Sequence, residues 1–60
     1  MKTFRIWLQL FTPDSIPTGV SEFTQQAETK EEAEKKMIEE LKSWGRGNPR
    51  DYHIIRILEE

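Results

Sequence analysis

Residues 4–11 read FRIWLQLF, and their alternation decides how the rest of the chain must be arranged. On an extended strand Phe4, Ile6, Leu8 and Leu10 share one face, while Arg5, Trp7, Gln9 and Phe11 share the other. Six of these eight residues are apolar or aromatic, so both faces carry apolar side chains. Such a strand belongs in the middle of a sheet. A strand over about residues 3–12 is expected, rich in aromatic and branched residues.

TPDSIPTG (residues 12–19) follows, with two prolines and a glycine, and reads as a loop. It is longer than an ordinary hairpin connection of about 2–5 residues. Carrying Ile16 and leading to Val20, it is a candidate to fold across Trp7 and Phe11. VSEFTQQA, residues 20–27, suits a second strand, and its paired glutamines place it at an edge with one face in water.

Thr29-Lys30-Glu31-Glu32 has the form of a capping box. The Thr29 hydroxyl can accept from the amide of Glu32, whose carboxylate can reach back. A helix over about residues 30–44 is expected, with Ala33, Met37, Leu41 and Trp44 on one stripe and Ile38 at its margin. Glu31–Lys35 and Glu32–Lys36 are i,i+4 pairs in the favoured order. Gly45 stops the helix, and Gly47 and Pro49 keep it from resuming. The last strand, about residues 52–58, reads YHIIRIL.

The order β-β-α-β predicts an α+β fold. The first two strands form an antiparallel hairpin, and the helix carries the chain back across one face of the sheet. A right-handed crossover past one strand sets the third beside the first, giving a three-stranded antiparallel sheet of order 2-1-3. The helix then covers Phe4, Ile6, Leu8 and Leu10, with Phe23, Ile55 and Ile57. The opposite face collects Arg5, Trp7, Gln9 and Phe11, with Tyr52, Ile54, Arg56 and Leu58. No further element remains to cover it.

Sixty residues make a single domain near the lower limit for independent folding, with a thin core. The absence of cysteine excludes disulfide support, and one histidine is too few for a His-rich metal site, so no metal or cofactor is expected. Stability must come from element geometry, from burial in an oligomer, or from both. A net charge of −2 is unlike the basic balance of most nucleic-acid-binding domains. No apolar run approaches the ~20 residues that cross a bilayer, and Arg5 and Gln9 interrupt the N-terminal apolar stretch. No membrane association is expected, and the location expected is cytoplasmic.

Catalytic chemistry is not indicated. Ser15, Ser21 and Ser43 with His53 and the aspartates form no recognisable set, since a triad is defined by geometry and not by composition. No glycine-rich phosphate loop is present. The chain is therefore read as non-enzymatic. Its strongest candidate surface is the uncovered sheet face, with Arg5, Trp7, Phe11, Tyr52, Ile54 and Arg56 as contact residues for a host protein or for a second copy in a homodimer. Trp, Tyr and Arg are the types enriched at binding hot spots. A rival site is WGRGNPRDYH, residues 44–53, where Arg46, Arg50 and His53 could hold an anion. Joined to Arg5 and Arg56, with Trp7 and Tyr52 as stacking platforms, these residues would suit single-stranded nucleic acid or ribosomal RNA.

At AETKEEAEKK, residues 27–36, the chain resembles a strand-to-helix junction of small β-β-α-β proteins, among them the phage-encoded T7-type gene 2 inhibitors of bacterial RNA polymerase. The likeness covers about two thirds of the chain and rests on Ala27, Glu28, Thr29, Glu32, Ala33 and Arg56. It implies a phage or mobile-element protein that modulates a host protein, with Arg56 at one of the family's basic contact positions. Leu58 and Glu59 stand where the second such residue would be. The order is similar also to the archaeal ribosomal protein LX family, with Phe23-Thr24 and Ala27 at comparable places, although those proteins are strongly basic.

Overall fold

The computed structural model describes all sixty residues and has the expected α+β architecture. Strands β1 (Lys2–Phe11) and β2 (Pro17–Ala27) are followed by helix α1 (Lys30–Ser43), a 3-10 turn at Pro49–Asp51 and strand β3 (Tyr52–Glu59). The sheet order is β2-β1-β3, with both pairings antiparallel. FRIWLQLF is thus the central strand.

β2 begins at Pro17, three residues earlier than its composition indicates, so the expected eight-residue loop shrinks to Thr12–Ile16. A turn closed by the Ser15 amide on the Thr12 carbonyl (2.8 Å) accounts for this. Pro13 suits the second position of such a turn, and Ser15 adopts φ 63° after it. Thr12 then holds Ile16 at both ends: its amide donates to the Ile16 carbonyl (2.9 Å), and its hydroxyl accepts from the Ile16 amide (3.1 Å). A bulge at Thr18 restores the register, because Leu10 pairs with Gly19 while Phe11 pairs with Pro17. Gly19 takes φ 118° there, a conformation that side-chain-bearing residues rarely adopt.

α1 starts at Thr29, whose hydroxyl accepts from the Glu32 amide at 3.1 Å. Only this half of the capping box forms. The Glu32 carboxylate lies 3.6 Å from Lys36 Nζ instead, and Glu31–Lys35 does not close to within 4 Å. The helix ends one residue before the expected position, with Trp44 as its cap. Gly45 (φ 76°) donates to the Lys42 carbonyl at 3.0 Å and Arg46 to the Leu41 carbonyl at 2.7 Å. This double closure satisfies the last carbonyls and turns the chain out of the helix. Thr29→Ala is expected to lower stability by ~1 kcal/mol, the usual value of an N-cap hydroxyl, measured by urea denaturation.

The core comprises Phe4, Ile6 and Leu8 from β1, Ala27 from β2, and Ala33, Met37 and Leu41 from α1. Leu10, Phe23, Tyr52, Ile54 and Ile57 pack around it, half-buried. Two of these depart from the expected faces. Tyr52 and Ile54 turn toward the helix, whereas Ile55, assigned to the core by strict alternation, is 51% exposed. A second bulge is the reason: Trp7 pairs with Arg56 but Leu8 pairs with Ile54, leaving Ile55 as an extra residue in β3. Below the bulge Ile57 faces inward opposite Ile6, and above it the parity reverses.

Candidate functional site: the open sheet face

All seven buried residues lie on the helix side or in the helix itself, so the opposite face of the sheet is open. Its centre is Trp7, opposite Glu22 of β2 and Arg56 of β3. The Arg56 guanidinium sits 5.6 Å from the Trp7 ring centroid, a cation–π contact that covers part of the indole. Trp7 and Phe11 are each half-buried, and neither is roofed by the hairpin loop: Ile16 stands exposed at the tip. Val20, Ile55 and Leu58, 57%, 51% and 42% exposed, frame the face with apolar surface.

Its charges are unequal. Arg5 donates to the Glu60 carboxylate through Nε (2.9 Å) and Nη2 (3.1 Å), and its Nη1 lies 3.2 Å from Glu22. The hydrogen bonds it donates to Glu60, then the charges of Glu60 and Glu22, raise the Arg5 pKa above its ordinary value. Arg5 is therefore paired within the chain, at the surface, with two carboxylates. Arg56, by contrast, has no carboxylate within 4 Å. The face presents one uncompensated cation, stacked on its one tryptophan.

The expected contact set thus divides. Arg5, Trp7, Phe11 and Arg56 stand on the open face, with Arg5 neutralised. Tyr52 and Ile54 do not belong to it; they pack against the core under the helix. Ile55, Val20, Glu22 and Glu60 stand there instead. For Ile55 the sequence does hold a signal, the apolar doublet Ile54-Ile55 that interrupts alternation in YHIIRILE. Glu60 is 55 residues away from Arg5, and nothing local announces that pairing.

Arg46 of the rival anion site stands at the opposite end of β1 from Arg5. Arg46 Nη1 donates to the Phe11 carbonyl at 2.9 Å, which ties it to the far end of β1. Six residues of strand separate Phe11 from Arg5, about 20 Å. Arg50 follows Asn48, whose side chain accepts from the Arg50 amide (3.2 Å), in the 3-10 turn. His53 is exposed, opposite Gln9 on the open face. The surface depressions lie on the flanks of α1, between lysines and glutamates, and neither contains His53. No three His, Asp or Glu side chains converge as metal ligands. No helix is long and apolar enough to cross a membrane. No protein-family model, curated protein or solved structure matches the chain.

Proposed function

We propose that this chain is a non-enzymatic protein-binding module whose working surface is the open sheet face, with Trp7 as anchor and Arg56 as the orienting charge. One observation carries the reading: a half-buried tryptophan lies under the face's single unpaired cation, inside a frame of exposed Val20, Ile55 and Leu58. A partner seated there would desolvate Trp7 and offer a carboxylate to Arg56, with its own apolar side chains against the frame. The resemblance to the gene 2 inhibitors would make that partner a host RNA polymerase. Only Arg56 stands at a matching contact position, so the proposal is kept to a protein partner with an acidic group set among apolar ones.

The test is affinity capture followed by titration of the purified partner. Trp7→Ala and Arg56→Glu should each weaken binding by ~30-fold or more, the loss typical of a hot-spot residue of ~2 kcal/mol. Lys35→Ala, on the outer face of α1, should leave it unchanged. Far-UV circular dichroism of each variant separates lost binding from lost folding. Binding that survives both open-face substitutions in folded protein would refute the assignment.

A further inference from the structure

The two edges of the sheet are not alike. β2 is blunted at both ends: Pro17 lacks an amide hydrogen, Thr18 forms a bulge, and Lys36 Nζ donates to the Gln26 carbonyl at 2.6 Å. β3 has no such protection. No side chain donates to any carbonyl of Tyr52–Glu59, and the strand carries apolar residues on both of its faces. A domain with seven buried residues among sixty leaves Ile54 and Ile57 half-covered on one side and Ile55 and Leu58 exposed on the other.

The bulge gives this edge a symmetry. Along β3, Tyr52, Ile54, Ile57 and Glu59 face the helix side, while His53, Ile55, Arg56 and Leu58 face the open side. Read from either end, that pattern is the same. An eight-residue strand without a bulge could not pair with itself over its whole length, because every residue would meet one from the opposite face. We propose that the free edge of β3 pairs with the same edge of a second copy, antiparallel and in full register. The two-fold axis passes between Ile55 and Arg56, and the two sheets become one of six strands.

In that register Ile54 lies opposite Ile57 of the second copy, closing the apolar gap beside the helix. Tyr52 lies opposite Glu59, His53 opposite Leu58, and Ile55 opposite Arg56, so no like charges stand directly opposite. A slip of one residue in either direction sets helix-side residues against open-side ones at every pair except the one on the axis, where Ile55 or Arg56 would meet itself. The dimer also joins the two open faces. Three strand spacings, about 14 Å, separate one Trp7 from the other. The inference concerns the sheet edge and does not depend on the open face having a partner.

Because the chain has no cysteine, introduced thiols report on this register alone. In the double variant His53→Cys/Leu58→Cys the two positions would meet across the axis at a Cα separation of ~4.5–5.5 Å, within disulfide reach. Tyr52→Cys/Glu59→Cys probes the neighbouring pair, so that one of the two samples each kind of antiparallel position. In the single variants the equivalent thiols would lie about 16 Å or more apart, out of reach. Sedimentation of the wild type at high micromolar concentration should give twice the mass of one chain. Mild oxidation should yield a covalent dimer from at least one double variant, and from a mixture of its two singles, but from no single variant alone. A monomer at all concentrations, a dimer whose double variants fail to cross-link, or single variants that cross-link as readily as the doubles would overturn the proposal.

Discussion

Replacing Ile6 by alanine is expected to lower the stability of this domain by about 2–5 kcal/mol. Ile6 is completely buried at the centre of β1, opposite Phe23 of β2 and Ile57 of β3. Its side chain therefore bridges both strand pairings beneath the helix, and its removal leaves a cavity that three elements must collapse to fill. A sixty-residue domain has only roughly 3–9 kcal/mol of total stability at 0.05–0.15 kcal/mol per residue. The substitution thus consumes a large share of the whole and shifts the folded protein toward the unfolded state at ordinary temperature. Val20→Ala on the open face, where the side chain is already in water, should cost less than about 0.5 kcal/mol. Urea titrations followed by circular dichroism measure both. Equal losses would mean that the core is not confined to the helix side.

Gly47→Ala is expected to cost about 1–3 kcal/mol, more than Gly45→Ala, although Gly45 is the residue with the unusual backbone angle. A Cβ at Gly47 would stand 2.8 Å from the Lys42 Cα and 2.9 Å from its Cβ. The Lys42 backbone cannot yield easily, because its carbonyl receives the Gly45 amide and the adjacent Leu41 carbonyl receives that of Arg46. The loop itself would have to lift, loosening the Arg46 hydrogen bond to the Phe11 carbonyl that fastens it to β1. At Gly45 an added Cβ meets nothing within 4 Å, so its penalty is only the left-handed conformation, ~1 kcal/mol. Thermal or urea unfolding of the two variants decides the order. A neutral Gly47→Ala would mean that the loop is not seated against the end of the helix.

Several features are legible in the sequence itself. The alternation of residues 4–11 marks a strand with two apolar faces, and only a central position suits it. Thr29 sets the start of the helix through a local hydrogen bond, and of the Ala33–Met37–Leu41–Trp44 stripe the first three are buried, whereas Trp44, at the cap, is 51% exposed. Gly45 marks its end, because the φ of 76° required there is local backbone geometry. From these elements and ordinary connection rules, the order β2-β1-β3 follows. Each signal depends on residues within a few positions of one another, and short-range chemistry is what a sequence displays.

Which side chains stand on the open face was decided elsewhere. Register is a relation between strands far apart in the chain, and one extra residue in β3 moved Tyr52 and Ile54 to the helix side and Ile55 away from the core. The bulge at Thr18 set the first strand pairing in the same way and let β2 begin at Pro17. Arg5 reads as a free cation in sequence; the fold delivers Glu60 and Glu22 to it and leaves Arg56 as the unpaired charge over Trp7. Sequence by itself determined that β1 carries apolar side chains on both of its faces and that one helix packs on one of them. Only the tertiary structure decided what the other face carries, because a bulge and an ion pair spanning 55 residues exist only once the strands have met.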